Sequence, residues 1–328
     1  MKFFILAGGF ATRLWPLTEK RAKPLLLLDG KTILAHILDK IPVSGEVFLL
    51  TNKAFEEDFR AEMKKCGRKN FQIFCEDAHS DQQKLGAVKA VSLAVKEFKI
   101  DENIFVFAGD NILPELSVER LQCEENEAGL AVREVETLDE ARKFGVVEGE
   151  KKKEERREKI EGDLLSITGF EEKPEHPKSR LVSTGFLSIG RELLPILHQT
   201  AEKSPDGLGN IFVEFLSHGK KVFGVPTAGD WFDVGSFETY LEAHRALQKK
   251  DLSLGKKVFQ KGNVFSGKVF LGDDCRIENC QITDSIVYPA CRLKNCHISQ
   301  SVIDGNCDLS GLDLSRKLVR RGTKINDQ

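Results

Sequence analysis

Near its C-terminal end the chain repeats itself. Cys275, Cys291 and Cys307 stand 16 residues apart (291 − 275 and 307 − 291), heading the segments CRIENCQITDSIVYPA, CRLKNCHISQSVIDGN and CDLSGLDLSRKLVRRG. An apolar residue recurs every five or six positions, and no helical period is present. A unit this short cannot close a hydrophobic core alone, so it must stack on copies of itself. The expectation is a β-solenoid of about four coils, reaching back more weakly through VFQKGNVFSGKVFLGDD. The cysteines are expected to pack: there is no CxxC pair, and His297 is the only nearby histidine.

The other 250 residues or so have a different texture. Apolar runs at Phe3–Ala7, Val47–Thr51, Phe71–Cys75, Ile104–Ala108 and Gly129–Val132 read as strands. Between them, Phe55–Cys66 and Leu85–Phe98 space apolar residues three and four apart, as amphipathic helices do. Alternation of this kind predicts a mostly parallel sheet covered on both faces. From Phe144 to Ile189 the pattern changes: FGVVEGE and LLSITGFEEKP read as an antiparallel ribbon, with LVSTGFLSIG as a third strand. The charged run Glu150–Glu161 between the first two is expected to be a solvated hairpin extension or short helix.

Composition excludes more than it identifies. Charged residues make up 30% of 328, yet the net charge is −2, so nothing demands a nucleic acid or an acidic membrane as partner. No apolar stretch approaches the roughly 20 residues of a membrane span, and the N-terminus lacks a signal-peptide pattern. A cytoplasmic protein is the expectation, with its eight cysteines reduced.

In open α/β sheets ligands sit at the carboxyl ends of strands, where Gly8-Gly9 and Gly109-Asp110-Asn111 both fall. Backbone N–H groups reach phosphate oxygens where no Cβ intervenes, so the first pair reads as an anion site. The familiar loops do not fit. Gly30-Lys31-Thr32 ends like a P-loop, but position 25 is Leu where that motif needs glycine, and Gly8–Thr12 is not GxGxxG. Standing alone, Arg13 and Lys23 would be surface ion-pair residues, and Asp110 could merely cap the segment that follows it. Trp15 and Trp231 are expected to pack, and the seven histidines show no ligand spacing.

Gly8-Gly9-Phe10-Ala11-Thr12-Arg13-Leu14-Trp15-Pro16-Leu17-Thr18, then Lys23-Pro24, resembles the signature of the sugar-phosphate nucleotidylyltransferases (nucleotide-sugar pyrophosphorylases), GGxGTRLxPLT followed by KP. Further landmarks come in family order: FVFAGDN with Asp110, FEEKP with Glu172 and Lys173, VSTGFL around Gly185, and DWFDVGS with Asp233 and Gly235. The resemblance implies a Rossmann-like, mostly parallel mixed sheet over residues 1–250, of the nucleotide-diphospho-sugar transferase type. The repeats at 251–328 resemble the hexapeptide-built left-handed β-helix, a common appendage in the family and one that implies a homo-oligomer.

By the same resemblance the chain joins a sugar 1-phosphate to a nucleoside triphosphate. Arg13 and Lys23 would neutralise the triphosphate, Asp110 and Asp233 would hold Mg²⁺, and Lys173 would reach the sugar phosphate. Nucleotide contacts fall on Leu6, Ala7, Gly8, Gly9, Thr12, Gln82, Gln83, Gly86 and Gly109; sugar-phosphate contacts fall on Glu172, Lys173, Thr184 and Gly185. Glucose 1-phosphate with dTTP or UTP is the first expectation and mannose 1-phosphate with GTP its competitor; a non-catalytic regulatory subunit is the reading from another class. Departures from the pattern bear on these choices. Ala11 replaces a third glycine and is expected at negative φ; Lys84 and Ala87 change the flanks of Leu85-Gly86; Ser183 stands where asparagine is usual.

Overall fold

The computed structural model describes residues 1–9, 11–77, 84–152 and 164–326. They group into two compact units, Met1–Gly9 with Ile37–Trp231, and Phe10–His36 with Phe232–Gln328. The second unit therefore takes its first piece from the signature stretch and the rest from the C-terminal third.

A mixed sheet of nine strands forms the first unit: β1 Lys2–Leu6, β2 Glu46–Asn52, β3 Phe71–Glu76, β4 Ile104–Ala108, β5 Glu127–Glu134, β6 Gly145–Lys152, β7 Leu164–Glu172, β8 Leu181–Ile189 and β9 Lys221–Pro226. Their order is β3-β2-β1-β4-β8-β5-β9-β7-β6. The first four run parallel, with Leu6 opposite both Leu50 and Ala108. Phe3, Phe4 and Ile5 are buried on alternate faces, which is why β1 reads as an unbroken apolar run. The Phe3 and Phe105 rings stack at 4.7 Å, and Phe4 and Phe48 at 4.8 Å, tying the parallel strands face by face. The helix Ala87–Glu97 covers one face with Val88, Val91, Ala94 and Val95.

The expected ribbon is present as β6 and β7, antiparallel from Leu164 opposite Lys152 to Glu172 opposite Gly145. Most of the charged run between them lies outside the described residues. The third strand is placed differently from the expectation. β8 meets β6 only at Val182 and Val146, and otherwise runs antiparallel in the middle of the sheet between β4 and β5. Its last four residues are all buried, and a strand apolar on both faces belongs in a sheet's interior rather than on a ribbon.

In the second unit, residues 252–325 form three parallel sheets in which each coil adds one short strand to each sheet. Arg276 stands opposite Arg292, and Arg292 opposite Asp308, which carries the 16-residue period into the register. Leu271, Ile277, Ile282, Val287, Leu293, Ile298, Ile303 and Leu309 fill the interior with the five buried cysteines. Every corner takes one left-handed residue: Lys257, Asp274, Ala290, Asn306 and Gly322 at one, Gly262, Asn279, Asn295 and Gly311 at the next, Gly267, Asp284, Gln300 and Arg316 at the third. Gly, Asn and Asp dominate these places because they reach positive φ at least cost. None of the eight cysteines is in a disulfide among the described residues. No helix among the described residues is long and apolar enough to cross a membrane.

Candidate functional site

Adjacent strand ends supply the first part of the site. Past β1, the Ala7 amide donates to Leu50 O (2.7 Å), and past β4 the Gly109 amide donates to Leu6 O (2.9 Å). Gly8 and Asp110 thus leave neighbouring parallel strands at the carboxyl edge. Asn52 Nδ2 donates to Gly8 O (3.4 Å), while Asn52 Oδ1 is buried without a partner among the described residues.

Gly8 abuts a residue that sequence reasoning missed. The Oε1 atom of Glu76, at the end of β3, fills the space a Cβ on Gly8 would need. Oε2 of the same carboxylate accepts the Leu85 amide at 2.7 Å. Glu76 is 8% exposed, and burial pushes its carboxyl above the ordinary range, against the Leu85 amide and Lys84, which pull it down. One signal was available: FQIFCE is an apolar run closing on a single acid at a strand's carboxyl end. Gly86, at φ +89°, has the Pro205 carbonyl where a Cβ would stand, so only glycine fits. Gln82 and Gln83 lie outside the described residues.

Beyond β4, Asp110 Oδ1 accepts from Asn111 Nδ2 (3.0 Å), and Asn111 Oδ1 accepts from Trp231 Nε1 (2.8 Å). Trp231 packs on Phe144 at 4.7 Å, as a packing residue should. Gly185 breaks the β8 ladder at φ +82°, and a Cβ there would stand 2.8 Å from the Ala108 Cβ. This brings Gly185 against the Asp110 strand end. Thr184, next to it, is buried and donates to Ala131 O (3.0 Å), so its hydroxyl already serves the fold.

Glu172 ends β7, and Lys173 follows it. The Glu172 carboxyl lies against Gly145 and Gly209; burial raises its pKa, while Lys173 and the Gly209 amide oppose the shift. Lys173 takes φ +47°, its amide donates to Phe144 O (3.1 Å), and its side chain is 65% exposed with Nζ 4.0 Å from Glu172 Oε1. An exposed ammonium beside a shielded carboxylate is an arrangement that can take a phosphate.

The second unit holds Thr12, Arg13, Lys23 and Asp233. Thr12–Leu14 form a 3-10 turn with Leu14 buried. Ala11 before it departs from expectation. Its φ is 47° and its ψ 49°, the left-handed region, because Thr18 Oγ1 must reach Ala11 O (2.9 Å) and the turn must close on Leu14. Trp15 departs too: at 60% exposed it does not pack. Lys23 opens a second 3-10 turn, Lys23–Leu25, in which Leu26 N donates to Lys23 O (3.0 Å). Asp233 precedes a helix capped by a reciprocal Ser236–Thr239 pair, and the Gly235 amide donates to Asp233 O (2.8 Å). Among the described residues no three acidic, histidine or cysteine side chains cluster as a metal cage. Asp110, in the first unit, and Asp233, in the second, are each carboxylates, the hard oxygen donors that Mg²⁺ prefers.

A family model described as Nucleotidyl transferase matches residues 2–250. Curated relatives include the bifunctional protein GlmU of Methanocaldococcus jannaschii, 28% identical over 83% of this chain, of whose length the chain spans 60%. The UTP–glucose-1-phosphate uridylyltransferase AglF of Haloferax volcanii is 29% identical over 76% of this chain and 98% of its own. The glucose-1-phosphate thymidylyltransferase of Streptomyces griseus is 25% identical over 88% and 78%. Among solved structures, a putative glucose-1-phosphate thymidylyltransferase from Bacillus anthracis superposes with a TM-score of 0.61 at 21% identity, covering 76% of this chain and 96% of that one.

Proposed function

The chain belongs to the nucleotidyl transferase family, and on that footing we propose that it joins a hexose 1-phosphate to a nucleoside triphosphate, releasing pyrophosphate and an NDP-sugar. The names of the relatives favour glucose 1-phosphate; they span uridylyl, thymidylyl and adenylyl transfer, so they leave the base open.

A phosphate oxygen of the sugar phosphate attacks the α-phosphorus in line as the bond to pyrophosphate breaks. That phosphate's second pKa is about 6, so it is ionised at neutral pH and needs no general base. Positioning and charge neutralisation are what remain. Arg13 takes the β/γ-phosphates, Lys23 the α-phosphate and Lys173 the sugar phosphate, with Glu172 toward the sugar hydroxyls. Backbone amides around Gly8, Gly9 and Thr12 face the triphosphate, and Gly86 lets the backbone approach the base. Asp110 and Asp233 would hold Mg²⁺, which when bound would neutralise charge on the phosphates. Residues 1–250 act as the catalytic domain and 251–328 as the appended β-helix, in a cytoplasmic homo-oligomer.

What most supports this reading is the exit of Gly8 and Asp110 from neighbouring parallel strands, with Gly185 against the same edge. The test is a matrix of nucleoside triphosphates against sugar 1-phosphates, read by pyrophosphate release. Turnover that is lost in Asp110→Asn, with the fold intact, supports the proposal. Silence across the matrix from folded protein overturns it in favour of a non-catalytic subunit.

A further inference from the structure

Residues 19–30 lie along one edge of the coiled tail and meet it coil by coil. Asp29 accepts from Ser253 Oγ (2.6 Å), and Gly30 faces the Phe270 ring. The Leu27 amide donates to Tyr288 Oη (2.9 Å). Arg21 Nη2 donates to Asp304 Oδ1 (3.2 Å), and its guanidinium lies 4.6 Å from the Tyr288 ring centre. Glu19 accepts from Arg320 Nε (2.7 Å). The three later partners are 16 apart (304 − 288 and 320 − 304), so they occupy one position of the repeat in successive coils.

That position is anchored from within. Cys275, Cys291 and Cys307 donate their thiols to the carbonyls of Tyr288, Asp304 and Arg320, each at 3.2 Å. The chain contains two tyrosines, and both serve this contact. Tyr240 Oη donates to Leu27 O (2.6 Å) and lies 2.9 Å from Tyr288 Oη, so both backbone groups of Leu27 are held by buried phenols. Charge-assisted and buried hydrogen bonds of this kind are the ones whose loss is felt.

We propose that the β-helix is a working part of the triphosphate site, with Tyr288 and Asp304 as positioning residues for Lys23. Lys23 lies between Arg21 and Leu27, both pinned, and its own turn closes within that span. A cation meant for a reacting phosphate loses effect when displaced by about an ångström, and two fixed ends six residues apart (27 − 21) prevent that displacement. The inference rests on the role given to Lys23 above.

The test uses the full chain. Tyr288→Phe and Asp304→Ala are expected to raise KM for the nucleoside triphosphate roughly 10-fold, leaving KM for the sugar phosphate within about 3-fold. Asp304→Asn, which still accepts from Arg21, should restore most of the loss. Leu293→Ala, which removes a side chain from the tail's interior, serves as the stability control and should lower Tm without moving the nucleotide KM. Wild-type turnover with an unchanged nucleotide KM in Tyr288→Phe, or an equal shift in Leu293→Ala, overturns the inference and leaves the proposed reaction standing. If the wild type turns nothing over, the reaction falls, and amide hydrogen exchange of residues 22–27 reads the tether alone. Exchange at least about 10-fold faster in Tyr288→Phe supports it; unchanged exchange, or a tail variant that folds with that segment equally protected, overturns it.

Discussion

The Glu76 carboxylate stands where a side chain at Gly8 would have to go, with its other oxygen on the Leu85 amide. An acid is therefore buried between Gly8 and Leu85, the residue before Gly86, and both glycines are proposed to meet the nucleotide. An ionised carboxylate only accepts hydrogen bonds, whereas the imide edge of uracil or thymine presents one donor between two acceptors. Glu76→Gln supplies a donor of the same shape. It should move the kcat/KM ratio of UTP or dTTP over GTP upward about tenfold, equivalent to ~1.4 kcal/mol. An unchanged ranking of the four nucleotides would remove Glu76 from base selection.

Ala11 occupies a left-handed conformation that costs a residue with a Cβ roughly 1 kcal/mol. Ala11→Gly removes that strain and adds freedom to the unfolded chain, two effects of opposite sign. At φ 47° relief of strain should win, so urea unfolding should show a gain of up to about 1 kcal/mol. A loss would mean that the turn's geometry, rather than its strain, dominates.

Lys173 is mostly exposed, so its removal leaves no buried hole. Lys173→Ala should raise KM for the sugar 1-phosphate roughly 10- to 100-fold and leave KM for the nucleotide within about 3-fold. Equal effects on both substrates would place the ammonium elsewhere in the reaction.

His244 is buried on the helix Phe237–Leu247, with Nε2 3.3 Å from Lys268 O and Nδ1 without a partner among the described residues. Burial drives its pKa down to about 4, and the Lys268 carbonyl recovers only part of that. As pH falls, the unfolded chain takes up this proton first, near 6.5, so its binding favours unfolding. Stability should be full above pH 6.5 and decline as pH falls toward 4, by about 3 kcal/mol from this group. Urea midpoints of the wild type and His244→Gln between pH 7 and 4.5 check it; parallel slopes would acquit the histidine.

Much of the fold was legible for local reasons. The strands of the parallel half are buried on both faces, so their apolar runs are continuous, and the tail's interior repeats with its own period. What escaped depends on distant partners. β8 looks like the third strand of a ribbon because its neighbours in sequence form one, yet its place is decided by pairing with Phe107 and Leu130, some 50 to 80 residues earlier. Glu76 resembles any other acid until Gly8 is placed beside it. The partners of residues 19–30 were hidden for a third reason. Tyr288, Asp304 and Arg320 share a position in the repeat but not a chemistry, so the period that revealed the coils concealed the contact they make.

That contact also sets an order of events during synthesis. Arg21 leaves the ribosome 283 residues before Asp304 (304 − 21), which at 5–20 residues per second is roughly 15–60 s. A chain released just short of Tyr288 would carry every motif residue through Asp233 and Gly235, yet lack the phenol that accepts the Leu27 amide and the carboxylate that holds Arg21. Residues 19–27 are among the first parts translated, yet their partners Tyr288, Asp304 and Arg320 are among the last to be made.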